Sequence, residues 1–275
     1  MGRVTARRKV LRIRDGVVDQ RPDTLAAEEP MEIRVAGKAL TITMRTPGDD
    51  FDLAVGFLVS EGVVRRASDV LSARYCAGAT DDGTNTYNVV DVGLDPSLPP
   101  LDLSLERNFY TTSSCGLCGK ASLDAVRTAS TWSVADDPLR LTPELLASLP
   151  GRLRDSQRVF DKTGGLHAAA LFSADGELLV VREDVGRHNA VDKVIGHAVR
   201  GGLLPLRETV LMVSGRASFE LVQKAVMAGI PALAAVSAPS SLAVDLAEEN
   251  GMTLVGFLRG TSMNVYSAPE RVVAD

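Results

Sequence analysis

TVLMVSGRASFELVQKAVMAGIPALAAVS, residues 209–237, decides the fold. It opens on a short apolar run, passes a small polar turn, continues as a helical stripe, and starts a second apolar run after Gly229 and Pro231. The rhythm extends in both directions. Downstream, SLAVDLAEEN reads as a helix and TLVGFL as a strand; upstream, a helix from about Gly186 to His197 follows ELLVVRED, which the turn SADG joins to HAAALF. Alternating apolar runs and helices predict an α/β fold with a largely parallel sheet and helices on both faces.

The first half has a different pattern. MEIRV and LTITM alternate apolar and polar residues as adjacent strands do, and further strands are expected over ARYCA and TYNVVDVGL, with GATDDGTN as the turn between them. Between these pairs, TPGDDFDLAVGFLVSEG places Phe51, Ala54, Val55, Leu58 and Val59 on one stripe, with acids in the first turn and Gly62 at the end, so it predicts a packed helix. The change of pattern puts a boundary between about 130 and 140, giving a smaller strand-rich N-terminal domain (1–135) and a larger α/β domain (136–275).

The 275 residues are 45% hydrophobic and 24% charged, as in folded globular chains. A formal net charge of -5 gives no support to nucleic acid or an anionic membrane as a partner. No apolar run reaches the roughly 18 residues of a membrane helix. Arg3, Arg7, Arg8, Lys9, Arg12 and Arg14 crowd the start without a following apolar core. That segment reads either as a solvated tail entering a first strand or as a docking arm for an acidic partner. Three cysteines and no secretory pattern favour a reducing, cytoplasmic setting, where cysteine is chemistry or metal before it is a staple.

Two of the three, Cys115 and Cys118, stand in SSCGLCGK, flanked by small and hydroxylated residues that argue for a loop. The two-residue spacer lets each sulfur stabilise or resolve the other's thiolate, and Lys120 and a following helix N-terminus over ASLDAVRTA would add positive potential. Three chemistries remain open on the motif alone: half of a zinc site, a dithiol redox pair, and carriage of a sulfur atom as a persulfide. Cys76, in ARYCA, reads as an inert buried residue.

Parallel α/β sheets hold ligands beyond the carboxyl ends of their strands. Three turns expected there are polar: Arg187 and His188 after VREDVG, Ser214, Gly215, Arg216 and Ser218 in SGRAS, and Arg259, Gly260, Thr261 and Ser262 in FLRGTS. Arginine, free amides and glycine suit a phosphate, so together the turns outline an anion pocket. His188 reads equally as a structural histidine; His197 reads as structural; and His167, after two glycines, has room beside it for a ligand or another backbone.

RNFYTTSSCGLCGK, TGGLHAA, REDVGRHNAVDKVIG, SGRASFELVQKA and GFLRGTSMNVY, with TPGDDFDLAVGFLVSEG before them, together resemble the FdhD family, accessory sulfurtransferases of formate dehydrogenases. The resemblance spans residues 46 to 266. It implies a larger domain with the three-layer cytidine-deaminase-like fold, and a sulfurtransferase that takes persulfide sulfur from a cysteine desulfurase. That sulfur would pass to the molybdenum of a bis-molybdopterin guanine dinucleotide cofactor, bound as substrate and destined for formate dehydrogenase. By motif position, Cys115 would carry the persulfide and Cys118 assist. Phe257, Leu258, Arg259, Gly260, Thr261 and Ser262 would bind the cofactor, with Arg187, His188 and Arg216 as further candidates. A homodimer is expected on the same ground. Zinc is not expected, because Asn189 and Ala190 follow His188 and SGRAS offers no cysteine where a zinc deaminase has its H-x-E and C-x-x-C. Two other classes stay open: a cofactor chaperone whose cysteines only grip, and a thiol-disulfide oxidoreductase.

Overall fold

The computed structural model describes residues 3–76, 86–99 and 131–273. Cys115, Cys118, the GATDDGTN turn and the helix expected after the cysteines lie outside the described residues.

The six-stranded sheet runs in the order β12-β11-β10-β9-β7-β8. Its strands are β7 (His167–Ser173), β8 (Leu178–Asp184), β9 (Thr209–Val213), β10 (Ala232–Ala235), β11 (Thr253–Arg259) and β12 (Ser262–Ser267). Only β9, β10 and β11 pair in parallel; β7 is antiparallel to both β8 and β9, and β12 to β11. The sheet is therefore mixed, not largely parallel. The β7–β8 hairpin inserts as a unit beside β9, and the chain turns back on itself after β11, which local apolar runs do not reveal.

Alternate strand residues serve opposite faces. Leu211, Val213, Leu233, Ala235 and Leu254 point into the larger core, under α4 (Arg187–Arg200), α5 (Phe219–Met227) and α6 (Ser241–Glu249). Val210, Met212, Ala232, Ala234 and Val255 point into a second core under α2 (Pro143–Ser156). Sequence reading passed over α2, although its signals are present: Thr142 accepts a bond from the Leu145 amide, Pro143 opens the helix, and Leu146, Leu149 and Leu153 line one face. A one-turn helix, α3 (Phe160–Thr163), leads into β7.

The N-terminal part supplies a four-stranded sheet, β4-β3-β6-β5, from β3 (Glu29–Val35), β4 (Lys38–Arg45), β5 (Val70–Tyr75) and β6 (Val89–Leu94). Between this sheet and α4 lies α1 (Asp50–Ser60), closed by Gly62 at φ 74. Met31, Ile33, Val90, Val92, Leu53 and Leu58 belong to the same continuous core as the helices of the larger sheet. The basic start is a paired ribbon: β1 (Thr5–Arg14) and β2 (Val17–Ala26) match over ten residues, turning at Asp15 and Gly16.

Helices α1 and α4 meet backbone to backbone. A Cβ on Gly56 would overlap the Asp192 carbonyl oxygen and lie 2.8 Å from the Gly196 nitrogen; a Cβ on Gly196 would meet Asp52 and Gly56 in the same way. Only glycine at both positions permits this approach. Polar bonds reinforce it, from Ser60 Oγ to Asp192 at 2.7 Å and from Arg200 to Asp52 at 2.5 Å. His197 stands on this side of α4, its Nδ1 2.9 Å from Arg182, in a more polar setting than its sequence neighbours imply.

Candidate functional site

The carboxyl ends of β8, β9, β10 and β11 face the same edge of the sheet, as does the start of β7, because His167 pairs with Asp184 and Ala169 with Val213. The three polar turns are thus neighbours. The isolated bridge from Ala217 to Pro239 ties the turn after β9 to the one after β10, and the Phe257 amide donates to the Ser237 carbonyl at 3.1 Å. A cleft of about 610 Å³ opens here, lined among others by Leu153, Phe160, His167, Val185, Ser214 and Val236.

The first turn is fixed from below. Asp184, fully buried, accepts from the amides of Thr46 (3.1 Å) and Gly186 (2.8 Å) and from Asn189 Nδ2 (3.0 Å), and pairs with Lys193 Nζ at 2.8 Å. Lys193 also donates to the Thr46 carbonyl at 2.9 Å, and Asn189 to that of Met44 at 2.8 Å. Asp184, Asn189 and Lys193 thus form an inward set that locks β4 to the start of α4. Arg187 and His188 are left at the sheet edge. The other polar residues of REDVGRHNAVDK divide differently: Asp192 is buried against Lys224 at 2.8 Å, Arg182 bonds to Asp52, and Glu183 accepts from the amides of Val159 and Phe160. Sequence reading missed the inward set, because the partners that bury it, Thr46 and Met44, lie more than a hundred positions away.

Gly186 precedes α4 and Ser218 precedes α5, and neither helix start receives a side-chain cap. Their first amides and positive dipole ends are available to an anion at the edge. Arg187 Nε is buried and has no hydrogen-bond partner among the described residues. His188 Nε2 lies 2.5 Å from Glu220 Oε2 and 3.4 Å from Ser218 Oγ, bridging the first two turns. The bond from His188 holds the Glu220 carboxyl below its usual range. Burial, and then the charges of Arg187 and His188, lower the affinity of His167 for a proton, and its ring packs against Gly215, where a Cβ would come within 3.4 Å of Nδ1. His167 is thus poised as a neutral donor and acceptor on the cleft wall.

Of the third turn's residues, Arg259, Gly260, Thr261 and Ser262 are exposed, and Gly260 takes φ 55. Phe257 is 41% exposed with φ 52, a left-handed conformation that an aromatic residue adopts only when its surroundings impose it. The β11–β12 register shifts between Gly256 and Arg259, and that irregularity turns the Phe257 ring outward. Leu258 points the other way, into the core under α2, so anything it offers a ligand comes from its backbone. Arg216 is exposed. Cys76 is half-buried, not fully buried as expected.

The family model described as FdhD/NarQ matches residues 26–273. A protein named sulfur carrier protein FdhD from Streptomyces coelicolor is 72% identical over 99% of this chain and 97% of its own, and one of the same name from Mycolicibacterium paratuberculosis is 63% identical over 98% and 99%. A crystal structure described as "a putative formate dehydrogenase accessory protein", from Desulfotalea psychrophila, superposes with a TM-score of 0.76 at 25% identity, covering 98% of this chain and all of that one. The chain belongs to the FdhD/NarQ family.

Proposed function

We propose that this protein is a sulfur carrier serving formate dehydrogenase, with Cys115 as the sulfur-bearing residue. The observation that carries the reading is likeness along nearly the whole chain to proteins named sulfur carriers, in a chain whose own sequence holds a C-x-x-C pair. The Cys115 thiolate attacks the terminal sulfur of a cysteine desulfurase persulfide. The donor's S–S bond breaks, its cysteine leaves as thiolate, and Cys115 is left as the persulfide. Handing that sulfur on as sulfide requires two electrons. Cys118 supplies them by attacking Cys115 Sγ as the sulfur departs, which leaves a Cys115–Cys118 disulfide for a cellular dithiol to reopen.

The acceptor is the molybdenum of bis-molybdopterin guanine dinucleotide, a substrate rich in phosphate. The sheet edge suits it on three counts: the unpartnered Arg187 Nε, the uncapped starts of α4 and α5, and the outward Phe257 ring beside Arg259 and Gly260. Thiol chemistry of this kind needs a reducing compartment, so the cytoplasm is the expected setting and a homodimer the expected assembly. The test is formate dehydrogenase activity in cells carrying Cys115→Ala. A sulfur carrier loses it. Substantial retained activity would instead support a chaperone that binds the cofactor without sulfur chemistry.

A further inference from the structure

The cleft beside the sheet edge holds a buried polar group with nothing to bind. Gln157 follows α2 directly and is 4% exposed. Its backbone bonds to Arg154 and Asp161, but its carboxamide has no hydrogen-bond partner among the described residues, and the residue lines the cleft. Burying an amide without a partner is costly, so Gln157 marks a place where a ligand's polar atoms belong. Two more polar groups stand on the same wall at strand ends: the His167 ring, and Ser214, whose Oγ accepts from the Ala168 amide at 2.9 Å and keeps its own proton to donate. The rest is largely apolar, with Pro150, Leu153 and Phe160 from α2 and α3, and Val185 and Val236 from the strand ends. The one arginine of the lining, Arg154, is engaged by Asp161 at 2.5 Å and by the face of Phe160 at 4.8 Å, so the cleft itself is not a phosphate seat.

Apolar walls with a few convergent polar groups suit a flat ring, its faces against hydrocarbon and its edge toward the amide. A carboxamide sets a donor beside an acceptor and pairs with a ring edge that does the same. We propose that this cleft seats the ring end of the ligand and that Gln157 reads its edge: the ring is a planar nitrogen heterocycle bearing a lactam and an amino group, the pattern that guanine and pterin share. The proposal rests on the reading of the sheet edge as the phosphate site for a guanine dinucleotide cofactor. His167 joins the two regions, since it lines the cleft, packs on Gly215 of the second turn and feels the charge of Arg187. A ligand with its ring under α2 therefore brings its phosphates to the starts of α4 and α5 across the strand ends.

The experiment is calorimetric titration of the full-length protein with GDP, neopterin and pyrophosphate, for the wild type, Gln157→Leu and Gln157→Met. Both substitutions keep the bulk and remove the amide, and an unchanged thermal melt identifies the variant that leaves the fold intact. The wild type should bind GDP more tightly than pyrophosphate, or bind neopterin, and the variants should weaken that ring-bearing probe about tenfold with pyrophosphate unchanged. Weakened GDP assigns the cleft to guanine, and weakened neopterin assigns it to the pterin. If the variants bind the ring-bearing probes as tightly as the wild type, or weaken pyrophosphate equally, the role of Gln157 is overturned. The same holds if the wild type binds neither ring beyond its affinity for pyrophosphate, and in that case the phosphate site stands. If pyrophosphate does not bind but a ring does, and the variants weaken it, the cleft stands and the phosphate reading falls.

Discussion

Replacing Gly56 with alanine sets two effects of opposite sign against each other. Alanine favours a helix over glycine by about 1 kcal/mol, so local propensity alone predicts a more stable protein. The new Cβ, however, would overlap the Asp192 carbonyl oxygen and sit 2.6 Å from its carbon and 2.8 Å from the Gly196 nitrogen. All three are helix backbone, which cannot rotate aside as a side chain does, so α1 and α4 must separate. That movement strains the bonds from Ser60 to Asp192 and from Arg200 to Asp52. Overpacking of this kind costs about 3 kcal/mol, leaving a net loss of about 2 kcal/mol. For a chain of this size the loss lowers Tm by about 4–8 °C. The assay is thermal unfolding followed by circular dichroism. Gly196→Ala should behave alike, and the double variant should lose less than the sum, because both methyl groups are relieved by one separation. An unchanged or raised Tm in Gly56→Ala would refute the close crossing.

Three other outcomes follow from buried groups. Lys193→Met leaves Asp184 without its cation in a fully buried position, and urea unfolding should show a loss of about 3–5 kcal/mol. Arg271 donates to the carbonyls of Val134, Ala135 and Gly251 at 2.6 to 2.7 Å; Arg271→Lys should recover little of the stability lost in Arg271→Ala, since an ammonium cannot match the guanidinium's spread of donors. Burial, with the Asp50 carboxylate beside it, pushes the Tyr75 phenol up from 10.0 to about 12. A raised folded pKa means that stability is fully present below pH 10 and is lost as pH rises through 12; ultraviolet titration and alkaline unfolding should show this in the wild type and not in Tyr75→Phe.

Much of the architecture was legible because its signals are local. The runs at 209–213, 232–235 and 253–259 are strands, the helices between them begin at polar turns, and α1 ends at Gly62 as its stripe predicts. The SADG turn marked β7 and β8 as a hairpin, but the hairpin's place in the sheet was not legible, because β7 pairs antiparallel with β9 across the intervening helix α4, and β12 folds back antiparallel on β11. Helix α2 was overlooked although Thr142 and Pro143 announce its start; Pro150 lies inside it, and internal proline ordinarily argues against a helix. At the site, glycine and arginine at strand ends located the turns, and the structure brings those turns to one edge. The sequence carried no sign of the bonds from Asp184, Asn189 and Lys193 to Thr46 and Met44, or of the Glu220 contact with His188, since these join residues on elements that become neighbours only on packing.

The central claim is that Cys115 carries sulfur, and it is tested most directly by mass spectrometry. The purified protein is incubated with a cysteine desulfurase and cysteine, digested without reductant, and the peptide containing Cys115 is weighed. The account predicts a gain of about 32 Da, one sulfur atom, on Cys115, reversed by added thiol. A peptide that stays unmodified while the desulfurase itself carries persulfide would contradict it.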